Sequence, residues 1–514
     1  MGGLAPGPIQ QAMPLESNDR ARGATLIGRN FSFRLASQVL SALINVGGMV
    51  LLGNYLSAEG YGNYAFYYAL IHLIGSGADL GVGIITVKEI ARDKANAGRH
   101  FGDALVIKAG VSGVLFLGIA TSAWLFFDPV RATLICLVSA TALIDFSQDA
   151  SIWIFRAYER LDLESLLLMV SQVLWVAGIA VCILLQASLA WLLGSATIAF
   201  LIRLGVGGMI VSRGMCRPVF APTVERLKTL IVQGMPFALA MFGVVLYGRI
   251  GILMLKTFST DTDVAYFNVA HMLSQPLGFI SSALSMAAFP ALSRYAQKGS
   301  EAISNALRRT SKYQLVVTLP MVVGLFLLSE RLVPLLFRGD GFSQAGVALK
   351  IMSLGLTLIF FNLMSRYVLI AMDAQRLYLR AVVVGLVANV AVGAVLIRPY
   401  GFAGACVAQL GGELTIFVMC QLVLSKYLGV SELLREAKKP LLAAMGMGLL
   451  VFSIRGANVF LVAAAGACAY TGLLLWLKAF SPDELKILRG VYVSFRLPGS
   501  AYLTRGPRVG SGSP

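Results

Sequence analysis

The most constraining feature of the chain is a series of apolar stretches, each about as long as a membrane is thick. A helix needs about 20 mainly apolar residues to cross a hydrocarbon core roughly 30 Å deep. Such stretches recur along almost all of the 514 residues. Since 57% of the residues are hydrophobic and only 13% are charged, a water-soluble domain would lack polar surface. The sequence therefore predicts an all-α polytopic membrane protein.

About fourteen spans are predicted. A spanning strand would need only about ten residues and would alternate in polarity, so the lengths favour helices over a barrel. The predicted spans are residues 31–56, 61–86, 103–127, 130–155, 163–186, 188–211, 231–257, 264–290, 313–337, 345–371, 378–398, 401–425, 440–454 and 457–479.

The distribution of basic residues predicts the orientation. Most of the 42 Lys and Arg residues lie in the connections on the same side as the amino terminus. The opposite connections hold only Arg131, Lys256, Arg338, Arg398 and Arg455. The positive-inside rule therefore places both termini in the cytoplasm. The net charge of +17 follows from this dispersed pattern, and because no basic recognition motif accompanies it we expect no nucleic-acid partner.

Ionisable side chains inside the predicted spans are candidates for function, because each charge costs about 2.5 to 3.5 kcal/mol on insertion scales. The candidate substrate-binding residues are Arg34, Lys108, Arg203, Arg249 and Arg366. The candidate cavity or coupling residues are His72, Asp79, Asp145, His271 and Glu413. Six scattered cysteines form no Cys/His cluster, so neither a metal nor another cofactor is expected.

The candidates differ in which other roles would explain a charge at their positions. Arg249 lies deep in its span, and a guanidinium can hold phosphate oxygens bidentately, so it is the preferred diphosphate contact. The other four cations lie within about two turns of the predicted inside face, where snorkelling to headgroups explains them equally well. Asp145, Asp149 and Glu413 are expected to form structural pairs with Arg203, Arg156 or a helix backbone, and His72 either lies in a hydrogen-bonded core or titrates to couple protons.

The second span carries three local signals. Its amphipathic rings predict anchoring in the membrane interface, by Tyr61, Tyr64, Tyr67 and Tyr68. Its glycines predict close helix packing or bending, at Gly75, Gly77, Gly81 and Gly83. The segment "KEIARDKANAGR" that follows predicts an amphipathic helix on the inside, whose charges form a solvated face.

The sequence also contains a weak internal repeat. A shift of 203 positions sets "GNYAFYYALIHLIGSGADLG" against "AYFNVAHMLSQPLGFISSAL". Six spans separate the copies, so the two halves have the same orientation. Such a parallel repeat predicts a ligand site between two lobes near the midplane of the membrane.

Several segments together resemble a known family. They are "LSAEGYGNYAFYYAL", "ADLGVGIITVKEIAR", "FRAYERLD", "PMVVGLFLLSERLVPLLFRGDGF" and "VVVGLVANVAVGAVLIRPYGFAGACVA". In their order and spacing, over about residues 30–425, they are similar to the polysaccharide transporter (Wzx-like oligosaccharide flippase) branch of the multidrug/oligosaccharidyl-lipid/polysaccharide flippase superfamily.

The resemblance implies that the chain moves an oligosaccharide on an undecaprenyl-type pyrophosphate between leaflets of the bacterial inner membrane. It also implies that the first, second, seventh and eighth spans line a central cavity, which would place Arg34, His72, Asp79, Arg249 and His271 there. Membrane lipids and the polysaccharide polymerase or glycosyltransferase machinery are the expected partners. A peptidoglycan-precursor flippase and a cation-coupled multidrug exporter are the alternatives. An enzyme is not expected, because no predicted outside loop is large enough for a catalytic site.

The predicted organisation has six parts. Residues 1–30 form a disordered cytoplasmic tail without an apolar signal segment, and residues 480–514 form a second cytoplasmic tail. The first lobe comprises residues 31–212 and the second 231–425, with a linker at 213–230. Two further helices, within 440–479, lie outside the pseudo-symmetric pair.

Overall fold

A computed structural model describes residues 37–296, 300–427 and 429–480, together with Glu484. Both predicted tails, apart from Phe480 and Glu484, and the candidate Arg34 lie outside the described residues. The helices are α1 (Ser37–Tyr55), α2 (Ala58–Ala78), α3 (Val82–Arg92), α4 (Ala97–Phe126), α5 (Pro129–Ala157), α6 (Leu161–Leu184), α7 (Leu189–Gly214), α8 (Val224–Phe258), α9 (Asp261–Ser274), α10 (Gly278–Ala296), α11 (Ser300–Leu336), α12 (Ala345–Ala371), α13 (Gln375–Leu424), α14 (Val430–Ser453) and α15 (Val459–Trp476).

The helices match the predicted set of spans. Eleven helical segments of the described chain are long and apolar enough to cross a membrane, or twelve when α2 and α3 count as one bent span. The 50-residue α13 has non-helical dihedral angles at Gly401, which divide it into two arms, each long enough to span at about 1.5 Å per residue. With α14, whose apolar part begins after Lys439, the prediction of an all-α membrane protein with about fourteen spans is confirmed.

The outward faces of the helices are apolar. Large hydrophobic side chains there are more than half exposed, among them Val114, Leu117, Leu184, Leu449 and Phe460. A water-soluble protein rarely exposes so much apolar surface, whereas lipid tails solvate it well. The chain is a multi-pass membrane protein.

The bundle has two faces, which differ in the connections between helices that they carry. The basic face is the end at which α3 ends and α4 begins, and the opposite face is the end at which α1 ends and α2 begins. Several spans that start at the opposite face have capped amino termini, because short polar side chains accept hydrogen bonds from the free N–H groups of the first turn. Ser57 accepts from Gly60 at 3.2 Å, and Thr260 accepts from Asp263 at 3.2 Å.

The second span is broken where its glycines occur. Asp79 accepts a hydrogen bond from the N–H of Gly81 at 3.0 Å, and Gly81 has a φ of 69°, which favours glycine. A Cβ at Gly81 would lie 2.1 Å from the carbonyl oxygen of Gly234 on α8. The helix therefore turns by 53° into α3, which buries Val82, Ile85 and Ile90 and exposes Lys88 and Arg92, as expected for an amphipathic helix on the basic face.

The two halves of the chain use equivalent helices. α2 begins at Ala58 and α9 at Asp261, which are separated by the predicted 203 positions, and a second helix follows each of them after a short break. α2 packs on α5 and α7 of the first half and on α8 and α9 of the second, whereas α14 and α15 pack beside α11. This arrangement supports the parallel repeat; the exact lobe boundaries stay a prediction.

The tyrosines of α2 do not anchor it in lipid, so the predicted interfacial role is wrong for them. Tyr61 and Tyr64 are fully buried. The hydroxyl of Tyr61 accepts a hydrogen bond from Asn268 on α9 at 3.1 Å, and its ring packs edge-on against Phe337 and Phe342. The physical reason is that α2 lies between the two halves, so its rings fill the interface between helices.

These tyrosines belong to a tight contact between the halves at the opposite face, which we call the opposite-face seal. Asn54 donates to the carbonyl oxygen of Leu336 at 2.8 Å and accepts from the N–H of Arg338 at 2.7 Å. A Cβ on Gly62 would lie 1.7 Å from the carbonyl oxygen of Asp261, so the backbones of α2 and α9 are in contact. The members of the seal are Asn54, Tyr61, Gly62, Lys256, Asp261, Asn268 and Phe337.

The close approach at Gly62 predicts that a single methyl group opens the seal. In a cysteine-free background, the pair Glu59→Cys and Arg338→Cys, both at exposed positions of the opposite face, is expected to be joined efficiently by a bifunctional thiol reagent, with the side chain of Asn54 left in the seal. Adding Gly62→Ala lowers the cross-linking yield about fivefold, the population change that about 1 kcal/mol produces. Gly60→Ala is the matched control, because a Cβ there meets only ordinary contacts. Equal yields in both variants would contradict the seal.

Candidate functional site

The ionisable candidates fall into three groups in the structure. The first lies between the halves and comprises Tyr68, His72, Arg249 and His271; we call it the interlobe cluster. The second lies inside the first half, and comprises Asp79, Lys108, Asp145, Asp149 and Arg203. The third lies in the second half, where Glu413 is buried and Arg366 lies near the basic end of α12.

The interlobe cluster is built by three helices. α2 supplies Tyr68 and His72 one turn apart, α8 supplies Arg249, and α9 supplies His271. The guanidinium of Arg249 lies 6.0 Å from the ring centroid of Tyr68, and the rings of Tyr68 and His72 meet edge to face at 4.7 Å. The charge of Arg249 also acts on both imidazoles.

Arg249 has no carboxylate partner among the described residues. It is partly solvent-accessible, as are His72 and His271. An unpaired cation in a low-dielectric interior is costly, so such residues generally face a ligand or water-filled passage. The cluster therefore presents a positive charge, with hydrogen-bonding rings beside it, to the space between the halves.

Two tight contacts flank the cluster along α2 and along α8. On α2, His72 lies between Tyr61 of the opposite-face seal and the break at Gly81. On α8, Arg249 lies between Gly234, whose carbonyl oxygen touches Gly81, and Lys256 of the seal. The cluster is thus at an intermediate depth, and access to it from either face requires one contact to separate.

The cations of the first half have partners within that half. Lys108 is 2% exposed; it donates to the carbonyl oxygen of Phe146 and lies 3.7 Å and 4.2 Å from the ring centroids of Phe146 and Trp153. Arg203 is 7% exposed and lies 3.7 Å from Asp149. This is the pairing expected for Arg203, and neither cation extends to the solvent at the basic face.

Three carboxylates surround these two cations. The charge of Lys108 is balanced by Asp79, Asp145 and Asp149, and Gln148 donates to Asp145. The three carboxyl groups outnumber the two cations, so no positive charge in this group is left over to bind a phosphate. Arg156, the other partner considered for the aspartates, pairs instead with Glu164 at 2.7 Å.

The second half contains a buried amide and carboxyl group around Glu413. Glu413 accepts from Asn362 at 2.7 Å and from Gln409 at 3.3 Å, and Asn389 donates to Gln409 at 3.0 Å. A cavity of about 20 Å³ lies between Glu413 and His271, large enough for about one water molecule. This cavity joins the interlobe cluster to the interior of the second half.

Sequence reasoning did not single out the uncharged members of these groups. The sequence pattern predicts an interface anchor at Tyr68, includes Asn389 only within a segment that carries the family resemblance, and does not mark Asn362 or Gln409. A usable signal was present for the amides, because an amide inside an apolar span also needs a buried partner. Arg366 was predicted correctly as near the basic end, where it stacks on Tyr367 at 5.0 Å; its substrate contact stays a prediction.

Comparisons with known proteins agree with this architecture. The family described as "Polysaccharide biosynthesis protein" matches residues 27–296, and the family described as "Lipid II flippase MurJ" matches residues 162–483. Each match covers more than half of the chain.

Individual relatives are distant. The chain is 18% identical over 373 residues to the probable low-salt glycan biosynthesis flippase Agl15 of Haloferax volcanii, which covers 72% of this chain and 78% of that protein. It is 25% identical over 227 residues to the probable lipid II flippase MurJ of Bdellovibrio bacteriovorus, which covers 42% of this chain and 43% of that protein.

Solved structures share the fold. A lipid II flippase MurJ in an inward closed conformation matches with a TM-score of 0.73 at 13% identity, over 86% of this chain and 98% of that one. An inward-facing multidrug resistance transporter of the MATE family matches with a TM-score of 0.62 at 16% identity, over 79% of this chain and 98% of that one. The chain belongs to the multidrug/oligosaccharidyl-lipid/polysaccharide flippase superfamily, in which both its polysaccharide biosynthesis and its lipid II flippase matches lie.

Proposed function

We propose that the chain is a flippase, and not an enzyme, that moves an oligosaccharide linked to an undecaprenyl-type pyrophosphate from the inner to the outer leaflet. The observation that carries this proposal is Arg249, a partly accessible cation between the halves with no carboxylate partner among the described residues. The amino-terminal match to the polysaccharide biosynthesis family and the likeness to a glycan biosynthesis flippase support the oligosaccharide over other cargoes.

The chemistry of the cargo requires a polar passage. Each unpaired hydroxyl costs about 2 to 7 kcal/mol on transfer to an apolar medium, so a sugar headgroup does not cross the hydrocarbon core unaided. The lipid tail has no such cost and stays in the bilayer. Arg249 is placed to hold the diphosphate bidentately, with His72 and Tyr68 beside it as hydrogen-bonding groups.

Alternating access follows from the two contacts that flank the cluster. Separation of the opposite-face seal exposes the cluster to one side, and separation of Gly81 from Gly234 exposes it to the other. The break at Gly81 and the one after α9 supply the hinges for these movements. We assign Lys108 and Arg203 to the internal structure of the first half, since their partners are already in place.

The positive-inside rule places the basic face in the cytoplasm, with both termini, in the bacterial inner membrane. An anionic headgroup that moves outward then gains about 2.3 kcal/mol per charge per 100 mV of membrane potential. The potential alone is therefore sufficient to bias transport. We expect the flipped product to pass to a polysaccharide polymerase, and glycosyltransferases to supply the substrate.

Lipid II is the second candidate cargo. The lipid II flippase family matches residues 162–483, and a lipid II flippase structure shares the fold. Both cargoes carry a diphosphate, so Arg249 serves either of them. A cation exporter is disfavoured, because the unpaired charge between the halves is positive.

The role of Arg249 predicts a specific loss of transport. In proteoliposomes, Arg249→Gln is expected to slow the flipping of an undecaprenyl-pyrophosphate oligosaccharide by about tenfold or more, because a charge-assisted hydrogen bond contributes about 1.5 to 3 kcal/mol. Arg249→Glu abolishes flipping by repelling the diphosphate. Arg455→Gln is the matched control, because Arg455 is an exposed arginine that stacks on Phe452.

The same assay separates the two cargoes. The proposal predicts faster flipping of the oligosaccharide than of lipid II in proteoliposomes. In cells, it predicts that a deletion strain accumulates lipid-linked oligosaccharide on the cytosolic side of the membrane. A preference for lipid II would favour the second candidate. Full transport of both by Arg249→Glu would overturn the role of this residue.

The structural assignment of Lys108 predicts a loss of stability. Lys108→Met removes one of the two cations that neutralise Asp145 and Asp149 and leaves Arg203 as the other; breaking a buried ionic group costs about 3 to 5 kcal/mol. We expect a lower thermal midpoint in detergent, partly restored by Asp149→Asn in the same chain. Arg249→Gln removes an unpaired charge from the interior, so it is expected not to lower the midpoint. An unchanged midpoint for Lys108→Met, with transport lost, would return Lys108 to the substrate site.

A further inference from the structure

A second cavity, of about 380 Å³, lies at the basic face of the first half; we call it the basic-face cavity. Its walls come from the turn between α3 and α4, the end of α5 and the segment that follows α7. Its lining includes Lys94, Asn96, Arg99, Tyr158, Cys216 and Arg217. None of these residues belongs to the interlobe cluster, and the proposed flippase mechanism does not use them.

The walls of the basic-face cavity are held by close backbone contacts. The N–H of Val219 donates to the carbonyl oxygen of Gly98 at 2.8 Å. A Cβ on Gly98 would lie 2.3 Å from the carbonyl oxygen of Arg217, and one on Gly102 would lie 2.1 Å from that of Val219. Only glycine permits this packing, so the segment after α7 is fixed on the first turns of α4 and the cavity is preformed.

The charge around the cavity is positive and unpaired. Lys94, Arg99 and Arg217 are exposed, and in the described part of the chain none of them lies within ion-pair distance of a carboxylate. The neighbouring Asp93 does not line the cavity. Its carboxylate accepts from the backbone and the side chain of Asn96 at 3.2 Å and 2.8 Å, and these bonds lower the pKa of Asp93.

The amino terminus of α4 adds to this field. The helix begins at Ala97, and Asn96 makes no side-chain cap. The N–H groups of Ala97 and Arg99 already donate to the carbonyl oxygens of Lys94 and Asn96, so the contribution of this helix is the partial positive charge of its amino terminus, which favours anions. Three cations and a 30-residue helix therefore converge on one preformed cavity.

The size and walls of the cavity indicate what fits. Its volume lies within the range of about 300 to 1,000 Å³ that is typical of small-molecule sites, and exceeds what a lone phosphate fills. Tyr158, Met215 and Val219 provide an apolar wall beside the charges. Lys94 already lies over the ring of Tyr158, 5.5 Å from its centroid.

We propose that the basic-face cavity binds a phosphate or diphosphate group, presented either by a lipid of the adjoining leaflet or by a molecule free in solution. Arginine binds phosphate oxygens bidentately and lysine binds them as a point charge. The segment between α7 and α8, which connects the two halves, contributes Cys216 and Arg217 to the wall. A bound phosphate therefore contacts the segment that connects the two halves.

Cys216 provides a direct readout, because it lines the cavity and is partly exposed. The full chain, with Cys216 as its only cysteine, is placed in phosphatidylcholine nanodiscs and labelled with a maleimide. Burial raises the pKa of Cys216, so all rates are measured at one alkaline pH. Sodium pyrophosphate at about ten times its dissociation constant is expected to slow labelling about tenfold.

Variants localise the effect. The substitutions Arg99→Gln and Arg217→Gln are each expected to raise the half-protective concentration of pyrophosphate about tenfold, as loss of about 1.4 kcal/mol predicts. Arg213→Gln is the matched control, because Arg213 is an exposed basic residue in the last turn of α7, four positions before Arg217, and does not line the cavity. Thermal unfolding of each variant establishes that the fold is retained.

Nanodiscs of two lipid compositions distinguish a soluble phosphate from a lipid headgroup. Protection by pyrophosphate in phosphatidylcholine supports a soluble ligand, and protection in discs that contain phosphatidylglycerol, without pyrophosphate, supports a lipid headgroup. Equal labelling rates in every arm, or protection that Arg99→Gln and Arg217→Gln leave unchanged, would overturn the proposal. The assay involves no transport, so its failure leaves the proposed flippase intact, and a failure of transport leaves this site intact.

Discussion

The cost of holding an unpaired arginine between two apolar halves is the constraint on which the rest of the structure depends. Arg249 is stabilised by the face of Tyr68 and by partial access to solvent, because no carboxylate in the described chain neutralises it. Such a charge is tolerated only where the two halves leave room for water or an anion. Two tight contacts, at Gly62 and at Gly81, limit that room on either side of the cluster.

Much of the fold was predictable, because the hydrocarbon core imposes one length and one polarity on every span. The broken second span followed from its glycines and from the charges after Gly83. The tyrosines of α2 were misplaced, since amphipathic rings suit both a lipid interface and a helix interface. Only the packing of α2 on α9, where Asn268 meets Tyr61, separates these two cases.

The site was predictable only in part. Arg249, His72 and His271 lie together between the halves. Asp79, which the resemblance also assigns to the cavity, lies with Lys108 inside the first half, and Lys108 and Arg203 have their own partners there. A single sequence does not reveal this difference, because the partners are distant along the chain. The basic-face cavity was interpreted as a solvated face, since its shape arises from contacts of Gly98 and Gly102 with a segment more than a hundred positions away.

The central claim is that the two faces open in alternation around Arg249. Distances between pairs of spin labels, measured by electron paramagnetic resonance, test it most directly. One pair of labels is placed at Glu59 and Arg338 across the opposite face, and another at Arg92 and Arg294 at the basic face. The account predicts two populations of the protein, in which a longer distance at one face accompanies a shorter distance at the other. A diphosphate-bearing substrate is expected to shift the ratio of these populations. One fixed distance at each face, unchanged by substrate, would contradict it.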